Sequence, residues 1–514
     1  MRVPVTFMPS GATAWVAPGI TVVEASRAAG VPVAAPCGGR GICGTCGVRV
    51  VEGRLSEPTE DESRGLSRAP AGVRLACRAS IVAPVTLKPI VSHSGPVAGT
   101  KLHGAGPFAA GVDLGTTSVS AVVVDCVSGL EAGRATVANR QASHGADVMS
   151  RIGAAMSWAG EELQRAAEDS VIDALTVATS SAIERLDRVV IAGNSAMAAL
   201  LCGADASGLS HSPYEAPEAS SLAASEGLRF AFADGADVDV VPPIASFVGG
   251  DVLAGIVSVG LAGGSKPAML VDVGTNAEVA LWTGSRLVVT SAAAGPAFEA
   301  GGLGCSGPAV PGAVTSVEIA GSEVRLRTIG SEPPTWLSGA GVVSAIAALR
   351  RAGHLDAGGL LIESGPLSER FDRDDAGVLG VRLGEDPTSI RLSQTDVRAV
   401  QLAKAAVRVA VVTTLTAGDV SGSDLAVIHL AGAFGAALEV GELADIGMLP
   451  TSVVSVVTFA GNTALAGAVV FACDRPAEDH AVALASAAEH VALAEVPGFN
   501  DALMGALALE ASDS

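Results

Sequence analysis

Apolar positions along the chain fall into short alternating or continuous runs broken by glycine- and proline-bearing turns, which predicts mixed strands and helices in several units. Met1 to Val16 alternates as a strand hairpin folded at Pro9-Ser10-Gly11, a helix follows near Val23 to Ala29, and strands are predicted at Gly47 to Val51 and Val85 to Leu87. Ser56 to Arg68 is acidic and polar, the pattern of a solvated loop or short helix. Residues 91–107 hold turn formers without periodicity and predict a flexible linker, about 60 Å when extended and roughly 23 Å as a coil. At Phe108 the pattern changes to apolar strand, tight turn and apolar strand, ending at Asp125, and it recurs from Met269 to Leu281. Asp396 to Leu415 reads as an amphipathic helix, and Leu425 to Leu430 as a buried strand running into Ala431-Gly432-Ala433-Phe434-Gly435. The expected division is residues 1–90, the linker 91–107, a lobe at 108–265 and a second lobe at 266–514, since 514 residues exceed one core.

Composition narrows the function classes. Aromatics are only 3% against 49% hydrophobic residues, so the cores are built from Ala, Val, Leu and Ile. A net charge of −21 with 32 Lys and Arg in all disfavours nucleic acid, whose phosphates require clustered cations. The first sixteen residues carry one basic side chain and alternate like a strand, unlike a signal or transit peptide. With no run of about eighteen apolar residues free of Gly, Pro or charge, no membrane span is expected, and the expected location is the cytoplasm.

Candidate chemistry begins at Pro36 to Gly47, where Cys37, Cys43 and Cys46 share one glycine-filled loop and Cys77 follows some thirty residues later. Three thiols on a loop and a fourth on a later strand is how a chain wraps a [2Fe-2S] cluster. The glycines allow unusual dihedrals and bare N–H groups facing the sulfurs. Five residues separate Cys37 from Cys43, where plant-type ferredoxins have four; the spacing resembles that of adrenodoxin-like proteins. A zinc knuckle or buried structural thiols are the alternatives, although zinc sites pair two close couples of ligands and Cys77 has no near Cys or His. The remaining Cys126, Cys202, Cys305 and Cys473 are far apart among small or apolar neighbours and read as buried free thiols.

The repeated hairpins carry the second chemistry. Asp113-Leu114-Gly115-Thr116-Thr117 and Asp272-Val273-Gly274-Thr275-Asn276 place an Asp before a turn of Gly and hydroxyl or amide side chains. Such a turn offers N–H and hydroxyl donors to a phosphate while the carboxylate reaches Mg2+ or its waters. An ordinary capped turn is the alternative. Two copies imply two related lobes, each holding one side of a triphosphate. Asp251 and Glu299 are candidates to orient attacking water as general base, or are caps. Lys404 either reaches a phosphate or is a solvated helix lysine, and Gly432 and Gly435 are positions where backbone approaches a base or ribose closely.

Hairpin, hairpin and glycine loop in this order resemble the actin-like ATPase superfamily of acetate and sugar kinases, heat-shock chaperones and actin. Asn139-Arg140-Gln141, His144 to Val148, Ser150-Arg151-Ile152, Ala192 to Met197, Phe247 to Asp251, Gly295 to Glu299 and Gln401 to Ala406 sharpen the likeness. With the cysteine loop, the whole resembles the ferredoxin-fused ATPases that reductively activate corrinoid proteins. The resemblance implies a multidomain α+β chain, a β-grasp [2Fe-2S] ferredoxin joined to a two-lobed α/β ATPase. It further implies ATP and Mg2+ as cofactors, a corrinoid protein of a methyltransferase system as partner and an external electron donor; a homodimer is also expected. The alternatives are an ATP-coupled donor to another low-potential metalloenzyme and a non-catalytic nucleotide-sensing redox switch. The chain departs from the family in having Ala277 where Gly usually follows Asn, in lacking a C-terminal iron–sulfur cassette, and in being shorter than many members.

Overall fold

A computed structural model describes residues 2–8, 11–29, 31, 33, 46–60, 62–63, 73–89, 102, 106–145, 147–218, 236–299, 302–384, 390–432 and 438–513. The expected linker at 91–107 lies outside the described residues apart from Leu102, Gly106 and Pro107. The chain forms two compact units, Met1–Ala254 with Ala464–Val482, and Gly255–Thr463 with Ala483–Ser514. The sequence reading cut the chain once within 108–514; the structure sends one stretch of the later chain back to the first unit.

The first unit begins with a five-stranded sheet in the order β2-β1-β5-β3-β4, built from β1 (Val3–Phe7), β2 (Ala12–Val16), β3 (Gly47–Leu55), β4 (Arg74–Leu75) and β5 (Ile81–Pro89). Alternation puts Val5 and Phe7 on the buried face, with Leu75, Ile81 and Leu87 beside them. The helix Val22–Ala28 starts where the Thr21 hydroxyl accepts from the Glu24 N–H at 3.2 Å and the Glu24 carboxylate accepts from the Thr21 N–H at 2.7 Å. That reciprocal cap satisfies two N–H groups at the helix entry.

A second sheet in the same unit has the order β10-β9-β6-β7-β8, with β6 (Phe108–Leu114), β7 (Ser118–Asp125), β8 (Leu130–Ala138), β9 (Leu186–Gly193) and β10 (Asp237–Val240). The second unit repeats this plan as β21-β20-β11-β12-β13-β22, with β11 (Ala268–Val273), β12 (Ala277–Trp282), β13 (Leu287–Ala292), β20 (Val427–Gly432), β21 (Val457–Gly461) and β22 (Glu489–His490). In each, the central strand is antiparallel to the next strand of its hairpin and parallel to a later one: β6 to β7 and β9, β11 to β12 and β20. The duplication read from two short turns therefore extends to sheet order and strand direction.

Strands β6 and β11 are apolar runs buried throughout except at Asp113 and Asp272, each one residue before its strand ends. A strand covered on both faces reads as continuous hydrophobics. One face of β6 is covered by the returning helix Thr463–Cys473, from which Leu465 joins Val122 and Val124. Gly111 lets that helix approach: a Cβ there would stand 2.4 Å from the Val469 nitrogen.

Two small sheets, β15-β14-β16 and β17-β18-β19, were absent from the sequence reading; β14 is Ala313–Ala320, β15 Glu323–Thr328, β16 Trp336–Leu337, β17 Phe371–Arg373, β18 Leu379–Arg382 and β19 Arg391–Ser393. Strands β16 to β19, of two to four residues, carry too little periodicity to register, whereas β14 and β15 are long enough to alternate and were missed. The helix Gln394–Gly418 was expected to be amphipathic, and it is long and apolar enough to cross a membrane by length and composition. It is a core helix of the second unit, with 72% of its most apolar window buried.

Replacing Gly111 by Ala is expected to destabilise the first unit by about 1–3 kcal/mol through overpacking against the returning helix. Gly153→Ala, in the helix Val148–Ala154 with open space around it, should stabilise by up to about 1 kcal/mol instead. Urea melts of the two variants check the contrast, and equal midpoints would disprove the close approach.

Candidate functional site

The cysteine site is built by strand pairing. Cys46 immediately precedes β3 and Cys77 lies two residues beyond β4; Gly47 pairs with Leu75, and the Ala76 N–H donates to the Cys46 carbonyl at 2.8 Å. The two buried sulfurs consequently stand 3.3 Å apart. That is far beyond a disulfide bond of about 2.0 Å and close to the ~3.7 Å spanned by two thiolates about 2.3 Å from one tetrahedral metal ion. This pair fits the ligand set of a cluster. Cys37 and Cys43 lie outside the described residues.

Glu62 holds the Cys77 strand in place, and sequence reasoning missed it. The Arg74 guanidinium donates to its carboxylate at 2.7 and 2.8 Å and the Leu75 N–H at 3.0 Å. Glu62 is 0% exposed, so this part of the acidic Ser56 to Arg68 stretch is not solvated as expected. A buried carboxylate persists because a bidentate partner and a backbone donor compensate its desolvation.

In the first hairpin, every carbonyl of the Gly115-Thr116-Thr117 turn is held from behind. Asn139 Nδ2 donates to the Gly115 carbonyl at 2.8 Å, Arg151 Nη2 to that of Thr116 at 2.6 Å, and the Asn139 N–H to that of Thr117 at 3.0 Å. In a trans peptide the N–H points opposite to its C=O. The N–H groups of Thr116, Thr117 and Ser118 therefore face away from this scaffold, the arrangement of an anion-binding nest. Arg151 is 0% exposed and also donates to the Gly145 carbonyl at 3.0 Å. Among the described residues it makes no ion pair, and burial lowers its pKa to about 10, with the charge of Asp147 acting the other way. Asn194 caps the helix Ser195–Cys202 and donates to the Thr116 hydroxyl at 3.3 Å.

Asp113, at the end of β6, faces Asp251 at the start of the helix Gly250–Ser258. Burial first, and then the charge of Asp113, raises the Asp251 pKa to about 7, against the pull of the Val252 N–H at 2.8 Å. Two carboxylates that resist joint ionisation suit a divalent cation, which would compete with the proton held by Asp251.

The second hairpin gathers Thr275 and Glu299. The Thr275 hydroxyl donates to Glu299 Oε2 at 2.8 Å, and the Gly295 N–H to the Thr275 carbonyl at 2.8 Å. Burial raises the Glu299 pKa, with the Thr275 donors opposing it. At Gly274 a Cβ would stand 3.0 Å from Glu299 Oε1. Asn276 closes the turn through its carbonyl, which accepts from Gly274 N–H at 2.8 Å. Gly432 has φ +93°, and a Cβ there would lie 2.3 Å from the Val273 carbonyl and 2.7 Å from Asp272 Oδ1. It thus clears the space beside Asp272; its counterpart in the first sheet is Gly193, opposite Leu114 as Gly432 is opposite Val273. Gly435 lies outside the described residues. Glu278, opposite Asp272 across the hairpin and 9% exposed, was also missed. The three-residue turn places it symmetrically with Asp272, a signal present in the sequence.

Lys404 is 1% exposed, which corrects the alternative of a solvated helix lysine, and its ammonium donates to the Ala508 carbonyl. Gln401 donates to the Leu507 carbonyl at 2.8 Å and Arg408 to that of Ser512 at 3.0 Å, so one polar stripe of the helix Gln394–Gly418 clamps the end of the chain. Burial, then the neighbouring Arg408 charge, lowers the Lys404 pKa to about 8.

Residues 5–82 match the 2Fe-2S iron-sulfur cluster binding domain, 108–263 the RACo middle region, and 266–514 the C-terminal domain of RACo, the ASKHA domain. The corrinoid activation enzyme RamQ of Eubacterium limosum is 31% identical over 413 residues, covering 76% of this chain and 68% of that protein. This chain belongs to the reductive activators of corrinoid proteins. The [Co(II) methylated amine-specific corrinoid protein] reductase of Methanosarcina barkeri is 27% identical to this activator over 289 residues, 52% of the chain and 50% of that protein. A solved reductive activator for corrinoid,iron-sulfur protein shares its fold with a TM-score of 0.70 over 99% of this chain and 98% of its own, at 23% identity. The activator combines a ferredoxin domain with an actin-like ATPase fold.

Arg151→Met is expected to weaken nucleotide binding about tenfold or more, equivalent to ~1.4 kcal/mol, with the circular dichroism spectrum retained. Calorimetric titration with ATP and Mg2+ measures it, and unchanged affinity would remove Arg151 from the phosphate turn's support. A second test uses pH. The folded chain keeps the Asp251 proton to about pH 7, whereas the unfolded chain releases it near 3.8. The nucleotide-free protein should therefore lose stability as pH rises between these values, by at most about 1.4 kcal/mol per unit. Urea melts across that range should show Asp251→Asn flattening the slope; identical slopes would refute the raised Asp251 pKa.

Proposed function

We propose that the chain is an ATP-dependent reductive activator that passes one electron from a [2Fe-2S] cluster to the cob(II)alamin of a corrinoid protein, regenerating cob(I)alamin for methyl transfer. The observation that carries this reading is the union, in one chain, of a buried thiol pair 3.3 Å apart with a turn whose three carbonyls are all held from behind. The names of the relatives supply the acceptor. The proposed division is a ferredoxin domain at 1–90, a linker at 91–107 and ATPase lobes at 108–265 and 266–514.

The cluster, when bound, supplies one-electron transfer, and an external donor refills it. Cys46 and Cys77, with Cys37 and Cys43, would hold it. Gly115, Thr116 and Thr117 in the first lobe, and Gly274, Thr275 and Asn276 in the second, present donors to the phosphates. Asp113 with Asp251 would hold Mg2+ or its waters, the bound ion neutralising phosphate charge, and Asp272 has the corresponding place in the repeated hairpin. Glu299, whose pKa burial raises and whose carboxylate accepts from the Thr275 hydroxyl, would orient the attacking water as general base. Gly432 keeps the space beside Asp272 open for ligand.

ATP enters for a thermodynamic reason. Each ~59 mV of mismatch in a one-electron couple costs about 1.4 kcal/mol. Nucleotide binding or hydrolysis offsets an uphill reduction if it favours a partner-bound state in which the corrinoid is easier to reduce.

The deciding experiment mixes reduced holoprotein, Mg-ATP and candidate cob(II)alamin proteins anaerobically and follows the cobalt spectrum. Conversion to cob(I)alamin that needs ATP, with ATP turned over repeatedly, supports the reading. Conversion at the same extent without ATP, or ATP binding without turnover, would overturn it. Cys77→Ser should abolish the cluster's visible bands and cobalt reduction while leaving nucleotide binding intact. Iron-free wild-type protein with stoichiometric zinc would refute the cluster assignment.

A further inference from the structure

Two cysteines outside the N-terminal sheet meet at the surface of the first unit. Cys126 opens the turn after β7 and Cys473 ends the helix Thr463–Cys473; both are exposed and their sulfurs are 3.5 Å apart. The sequence reading took both as buried thiols, an expectation that Cys305 meets and this pair does not. They come from positions 347 residues apart, so only the fold makes them neighbours.

We propose that Cys126 and Cys473 form a redox-modifiable dithiol site, which a small disulfide such as oxidised glutathione converts to an intramolecular disulfide. The sulfurs need to close from 3.5 Å to about 2.0 Å, within reach of side-chain rotation of two exposed groups. Both thiols are exposed, so either can attack first, and both orders give the same disulfide. In one order the Cys126 thiolate attacks one sulfur of the oxidant and expels a glutathione thiolate. Cys473 then attacks the Cys126 sulfur of the mixed disulfide and expels the second. Overall the pair loses two electrons and two protons, and the oxidant becomes two thiols.

The chain leaves the first unit after Ala254 and returns at Ala464. A bond between Cys126 and Cys473 closes that excursion into a covalent ring. Without it the returning helix is held by apolar contact with Val122 and Val124 and by Arg188, which donates to the Phe471 carbonyl at 2.7 Å and pairs with Glu478. Oxidation would keep the helix on the sheet independently of those contacts.

The test incubates the anaerobic holoprotein with oxidised glutathione, blocks remaining thiols by alkylation and maps peptides without reduction. The expected product is one linked peptide pair containing Cys126 and Cys473, lower in mass by two hydrogens, formed while the visible bands of the cluster persist. Cys473→Ser should instead stop at a glutathione adduct on Cys126. Both Cys126→Ser and Cys473→Ser are expected to keep wild-type ATP hydrolysis, which separates loss of the link from misfolding. Complete alkylation of both thiols in wild-type protein, in a tube where the same oxidised glutathione has converted a free cysteine peptide to its mixed disulfide, would overturn the proposal. So would a link that forms only after urea unfolding.

Discussion

A strand buried on both faces can end in a carboxylate only if the chain supplies an outlet for it. Both actin-like sheets of this chain are arranged around that constraint. Strands β6 and β11 are closed to water along their length, and Asp113 and Asp272 sit at the point where each reaches its turn. The parallel neighbour ends in glycine beside each of them, Gly193 and Gly432, because a side chain there would collide with the carbonyl of Leu114 or Val273. Donor turn, carboxylate and open space are thus produced together at the end of a single hydrophobic strand.

Buried charge does the work of fixing the loops. Arg151 holds the Thr116 carbonyl in the first hairpin turn, Glu62 fixes the strand that leads to Cys77, and Lys404 pins the chain at Ala508. Each is nearly or wholly excluded from water, where a hydrogen bond is stronger and a lost partner costs more. Polar residues that look like surface in a sequence are here the parts that position a site. The aromatic-poor composition fits this division: Ala, Val and Leu fill space, and a small set of charged side chains supplies direction.

The proposed activity joins two requirements that seldom meet in one chain. An electron carrier needs thiolates shielded from water, whereas a nucleotide site needs donors open to it. The first is met by strand pairing that buries Cys46 and Cys77, the second by turns whose carbonyls face inward. The residues that carry each function, the cysteine loop and the Asp-x-Gly-Thr turns, are contiguous and so recognisable in the sequence.

That locality separates what the residues alone determined from what the tertiary structure decided. Cysteine spacing, two Asp-x-Gly-Thr turns between apolar strands, and glycine at a strand end were legible because spacing of a few residues dictates their chemistry. The ferredoxin and duplicated actin-like architecture followed from the family resemblance that these motifs carry in their order, and Thr275 with Glu299 was within reach because the chain returns after one hairpin. Burial of Glu62, the binding of Arg151 to Thr116, the commitment of Lys404 to Ala508 and the meeting of Cys126 with Cys473 were not legible. A charged or thiol side chain reads as solvated or inert until its surroundings are known, and those surroundings come from segments up to 347 residues away. The physical reason is that desolvation and pairing are properties of three-dimensional neighbours, whereas strand periodicity and turn chemistry are properties of adjacent residues.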